Sequence, residues 1–154
     1  MKQFIRNSWL TNDARRPDLF TSENPAISVE ELKGFETATG LVLPEDYKAH
    51  MLTYNGGAVV SIYLFFGLPD DGINLLGFYP IKHGDTLLVE RRDYLPEKHL
   101  AIGRTGTGYL AMSLDENSYG NIYVHYSEVE LEFLAASFTD FINGLIDYTA
   151  VFEG

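Results

Sequence analysis

Apolar residues change their spacing twice along this chain, and those two changes limit the fold more than any other feature. Val29, Leu32 and Phe35 form one helical stripe, and Tyr47, Met51 and Tyr54 fall at i, i+4 and i+7 of a second. Ser28 with Glu31 is a capping-box pair, which predicts a helix over 28–39 ended by Gly40. Pro44 suits the first position of the next helix, predicted over 45–54, because its missing N–H costs nothing there. Asn55-Gly56-Gly57 stops that helix, since positive φ is cheap at such residues.

Beyond that point the pattern is that of strands. Ala58–Leu68 and Gly72–Ile81 are rich in Val, Ile, Tyr and Phe around the turn Pro69-Asp70-Asp71-Gly72. Thr86-Leu87-Leu88-Val89 opens either a short helix or a strand, and Pro96 ends it. Leu100–Arg104, Tyr109–Leu114 and Asn121–Tyr126 read as successive strands, and 128–133 alternates strictly between carboxylates and apolar residues. Ser137 and Asp140 then cap a last helix, predicted over 138–148, with Phe138, Phe141, Ile142, Leu145 and Ile146 as its buried stripe. Helices, a run of strands and a closing helix make an α+β protein. Short connections favour antiparallel neighbours, because parallel strands need long crossovers. The expected architecture is an antiparallel meander flanked by two N-terminal helices and one C-terminal helix. At 154 residues and 45 % hydrophobic, the chain reads as one domain over 1–154, with 1–26 as an arm or extra helix.

Charge is distributed unevenly. Residues 1–16 hold Lys2, Arg6, Arg15 and Arg16 against Asp13, whereas Thr105–Gly154 holds eight acids and no Lys or Arg. The total is −11, the wrong sign for gripping a phosphate backbone, so nucleic acid is not an expected direct partner. Such an excess either keeps the chain soluble or steers a basic partner. Glu128, Glu130 and Glu132 should project from one side of a strand, where they either protect an edge from mispairing or receive Lys and Arg from a partner. These three, followed by Asp115 and Glu116, are the candidate partner-binding residues.

A search for chemistry finds no catalytic constellation. With no cysteine, thiolate metal sites, disulfides and Cys nucleophiles are excluded. Gly103–Gly108 lacks the Lys-Ser/Thr pair of a phosphate loop and joins two strand-like runs, so a hairpin turn is expected. His50, His83, His99 and His125 have no metal-ligand spacing, and Ser113 lies in a strand-like run without a nucleophile elbow. Asp70-Asp71 and Asp115-Glu116 are adjacent acids in turns, explained by turn chemistry. No metal and no cofactor is expected. The longest nearly apolar run, Ala58–Leu68, is too short to span a bilayer, and the first ten residues lack a signal peptide's apolar core, so a soluble cytoplasmic protein is expected.

Several motifs are similar to a known family. Ile27-Ser28, Leu32, Phe35-Glu36, Gly40, Leu43-Pro44, Asp46-Tyr47 and Asn55-Gly56-Gly57 resemble the opening signature of the SUKH superfamily. Tyr94-Leu95-Pro96, Ile102-Gly103, Gly108, Leu110, Ser113-Leu114, Gly120–Tyr123 and Ala136–Phe141 look like its second half. That superfamily joins a fungal cell-wall-assembly regulator to many bacterial proteins. The resemblance implies a non-enzymatic binding role, foremost that of an immunity protein neutralising a basic toxin domain, often a nuclease. A regulatory scaffold without a toxin partner is the alternative it leaves open. The motif residues read as structural, with Pro44 and Ser137 at helix starts and Gly56 and Gly57 at a helix end, so the resemblance transfers no binding site.

Overall fold

A computed structural model describes residues 19–22, 24–65, 72–83, 95–106, 108–125 and 131–147, with backbone only for Ser61, Ile62 and Asp147. Several expectations lie outside them: the arm up to residue 18, the Asp70-Asp71 turn, Thr86–Val89, Tyr94, Glu128 and Glu130, and Tyr148. The elements run β1 (Phe20–Thr21), α1 (Val29–Thr39), α2 (Glu45–Tyr54), β2 (Ala58–Phe65), β3 (Ile73–Phe78), β4 (His99–Thr105), β5 (Tyr109–Ser113), β6 (Ile122–His125), β7 (Glu132–Ala135), α3 (Phe138–Asn143) and β8 (Leu145–Asp147). All eight of these strands join one antiparallel sheet in the order β1 to β7, with β8 also pairing β2. The α+β class and the meander are as expected.

The local signals act where the sequence places them. Glu31 N–H donates to Ser28 Oγ at 3.1 Å and Ser28 N–H to Glu31 Oε1 at 2.9 Å, closing the capping box of α1. Gly40 ends that helix with φ of 74°. Pro44 sits one position earlier than expected: it is the N-cap of α2, with φ −61° and ψ 149°. The residue at an N-cap is extended, a conformation that proline's fixed φ permits equally well.

The three helices share a core with the sheet. Leu32, Tyr47, Met51, Phe138 and Phe141 join Leu100, Ile102, Leu110, Met112, Ile122 and Val124 in a single core. Alternation sends His99 and Tyr123 to the opposite face, where Tyr123 contacts both His99 and Phe133 with ring centroids 5.9 Å apart. Tyr54, Tyr63, Phe65, Phe78 and Tyr79 are buried, as an aromatic core requires.

Two expectations need correction. The last helix stops at Asn143, and Leu145–Asp147 forms a strand instead. Phe138, Phe141, Ile142 and Leu145 are buried as expected, but Ile146 is 47 % exposed. The cause is non-local. β1 pairs only with Ala58 and Val59, which leaves the same edge of β2 open at Tyr63–Phe65, and β8 fills it. Phe65 stacks on Phe141 at 4.8 Å, and a Cβ on Gly144 would stand 2.5 Å from Phe65 Cε1, so the chain turns where only glycine fits.

The second correction concerns the alternating segment. β7 begins at Glu132, and Phe133, expected on an apolar face, is 51 % exposed. Phe133 faces Tyr123 while Ala135 faces Ile122, so an irregularity lies between them and β7 gains a residue on its partner. Such a bulge changes which side of the sheet a residue meets. Leu134 and Ala135 are buried in place of Phe133.

Candidate partner-binding surface

The structure separates the candidate acids into two places. Glu132 is exposed on β7, an edge of the sheet among the described residues, opposite Val124. Its companions Glu128 and Glu130 lie outside the described residues. Asp115 and Glu116 belong to the turn after β5, beyond the opposite end of the β6–β7 pair, which is the end marked by Ile122 and Ala135. The described candidates are therefore not gathered into one patch.

The turn at 115–120 is built from its own polar side chains. Asn117 N–H donates to Asp115 Oδ1 at 3.1 Å, Asp115 N–H to Ser113 Oγ at 3.2 Å, and Ser113 Oγ and Ser118 Oγ share a hydrogen bond of 2.7 Å. Glu116 and Tyr119 are left exposed. Tyr119 then reaches across to the link between α1 and α2, where its hydroxyl donates to the Val42 carbonyl at 2.5 Å. Val42 itself is 65 % exposed and Tyr119 43 %.

Around that contact the charges are mostly negative. Glu36 accepts from Leu43 N–H at 2.8 Å, and Lys48 reaches Glu45 at 2.9 Å and Glu36 at 4.0 Å. The hydrogen bond to Glu45 raises the Lys48 pKa, helped by the charge of Glu36. Partial burial raises that of the Tyr119 phenol, with Lys48 opposing. Asp46 is committed elsewhere. Its Oδ2 accepts from Thr139 N–H and Thr139 Oγ1–H at 2.9 and 2.7 Å, pinning α3 to α2. The sequence reading missed Val42 and Tyr119. A tyrosine among turn formers was the only local hint, because their encounter spans 77 positions.

The other chemical candidates each make contacts within the fold. Gly103–Thr105 ends β4, and Thr105 N–H donates to the Gly108 carbonyl at 2.9 Å where the chain turns back into β5. His50 is buried against Phe20, Tyr54, Phe78 and Phe138, and its Nε2–H donates to the Gly56 carbonyl at 2.7 Å. Burial holds its pKa down to about 4. His83 donates to Glu31 at 3.3 Å on the surface, and His99 Nδ1–H to the Glu97 carbonyl at 2.9 Å. His125 stacks on Tyr109 at 4.7 Å. Among the described residues no three acids or histidines stand together as a metal site, and no helix is long and apolar enough to cross a membrane.

The motif Asn55-Gly56-Gly57 has a physical account in this fold. Asn55 is fully buried, takes φ of 47°, and donates through Nδ2 to the carbonyls of Pro25 and Lys82 at 2.9 and 2.6 Å. Its Oδ1 accepts from Ile81 N–H at 2.9 Å. Gly56 has φ of 106°, and a Cβ there would lie 2.8 Å from the Phe78 carbonyl oxygen. One turn thus ties the end of α2 to the segments before α1 and after β3. The sequence model of the SMI1 / KNR4 family (SUKH-1) matches residues 26–144, which include this turn.

The chain belongs to the SMI1 / KNR4 family. No curated protein matches it. SUKH domains are generally non-catalytic binding domains, and membership is consistent with an immunity or interaction protein. Within the SUKH-1 match, Ser28 and Ser137 cap helices and Asn55–Gly57 closes a turn, so these residues serve the scaffold.

Proposed function

We propose that this chain is an immunity protein that neutralises a basic toxin domain, foremost a nuclease, by binding it directly in the cytoplasm. The observation that carries this reading is the charge of the last third of the chain: eight acids and no Lys or Arg from Thr105 to Gly154. A nuclease must present positive charge where its substrate phosphates sit, and carboxylates can occupy that surface. Complementary charge also speeds encounter, which suits an inhibitor that must act before its target does damage. Binding alone performs the function in this scheme, with no cofactor or metal.

Capture from the native host followed by mass spectrometry identifies the partner, and an activity assay on that partner tests the reading. An equimolar amount of the protein should abolish cleavage by a basic nuclease, and association should slow as salt rises. A captured partner without toxic activity, left unchanged on binding, would replace immunity with a regulatory scaffold.

A further inference from the structure

The feature that neither the family signature nor the charge pattern uses is the contact between Tyr119 and Val42. Val42 is the most exposed of the large apolar residues described, at 65 %, although it lies in the apolar link Leu41-Val42-Leu43, where Leu41 is half-buried and Leu43 buried. Tyr119 holds that link in place through its hydroxyl, yet keeps 43 % of its own surface open. The two segments also run close together at Gly120 and Pro44, where a Cβ added to the glycine would only just reach contact, 3.9 Å from Pro44 Cγ. An exposed aliphatic residue and an exposed tyrosine are thus joined, phenol to backbone carbonyl, where the α1–α2 link meets the turn after β5. Fixing them in advance lowers the entropy lost on binding.

Their surroundings specify the partner. Glu36 and Glu45 flank the link, and Asp115 and Glu116 share the turn that carries Tyr119. Lys48, the cation among these groups, is occupied by Glu45 and Glu36. We infer that Val42 and Tyr119 form the centre of an interaction surface for a basic protein segment, one presenting an apolar side chain flanked by Arg or Lys. This inference rests on the proposed reading only in supposing a basic partner. An apolar centre with tyrosine, inside a charged rim, is the usual anatomy of a protein interface. Arginine suits such a rim because its planar head can bond carboxylates while stacking on the tyrosine ring. The exposed Glu132 on β7 then acts as a steering charge away from the centre.

The test uses the full chain, isotopically labelled for NMR, and two six-residue probes: a peptide alternating arginine and leucine, and one alternating glutamate and leucine. The arginine peptide should shift the amide resonances of Val42, Tyr119 and Gly120 saturably, and the glutamate peptide should leave them in place. Val42→Arg should weaken the arginine peptide at least tenfold. Val29→Arg, at a valine 48 % exposed on α1, makes the same change of net charge and should alter affinity less than twofold. Shifts centred on Glu132 and Phe133, no saturable shift, or equal weakening by both variants would overturn the inference. Failure of the immunity reading registers separately, as a captured partner whose activity the protein does not change.

Discussion

Two turns show how differently this chain uses loops. The turn at 55–57 is buried, and its asparagine side chain makes three hydrogen bonds to residues 26 to 30 positions away. The turn at 115–120 closes mainly on itself, through Asp115, Ser113 and Ser118, and holds Glu116 and Tyr119 out to solvent. The first fixes where helices meet strands. The second displays side chains at a place the fold has already fixed. The motif residues of the first turn thus serve the scaffold, whereas the second turn leaves side chains open at the surface.

The core sets the scale for breaking this contrast. Phe141 is fully buried and stacked on Phe65, so Phe141→Ala should cost about 3–5 kcal/mol in chemical denaturation. Asn55→Ala should approach that range, at about 3 kcal/mol, because it leaves a buried N–H and two carbonyls without their partner. A loss under about 1 kcal/mol would show that the first turn is no more structural than the second.

Acid should find the same turn. His50, bonded to the Gly56 carbonyl, has a folded pKa of about 4 against an ordinary value of 6.5. Between those values the unfolded chain binds the proton and the folded one does not, so this contribution is fully present above about pH 6.5. It is lost as pH falls toward about 4, by about 3 kcal/mol in all. Denaturation midpoints of wild type and His50→Gln from pH 7.5 to 4 should converge as the pH falls. Parallel curves would remove His50 from the pH response.

The second turn should answer weakly in stability. Asp115→Ala removes one exposed-turn hydrogen bond and should cost about 0.5–1 kcal/mol. Replacing Glu128, Glu130 and Glu132 together with Gln, which keeps each side chain's length and polarity, should change stability least. With an identified basic partner, the same triple variant should slow association at low salt and flatten its salt dependence. Unchanged kinetics would leave recognition wholly to the surface around Tyr119.

Helices α1 and α2, their caps, the hairpin at 105–108 and most strands were legible because each is decided by neighbours a few residues apart. The Ser28–Glu31 box, the left-handed Gly40 and the period of Tyr47, Met51 and Tyr54 are local chemistry, and they act the same way in any fold that accepts them. The candidate site was legible only as a sign of charge. The structure places Glu132 and the Asp115–Glu116 turn apart, and charge counts along a sequence carry no distances.

Tertiary contacts decided the rest. The stripe from Phe138 to Ile146 satisfies a helix and a strand equally well until the open edge of β2 and the ring of Phe65 choose for it. Phe133 faces outward because of a bulge in its pairing with β6, which alternation within β7 does not encode. Tyr119 meets Val42 across 77 positions. By itself the sequence determined which segments could be helix, strand or turn, since those preferences arise within a few bonds. Only the packed chain could decide which edge was open, which ring faced out and which turns converged, because each depends on partners that folding brings together.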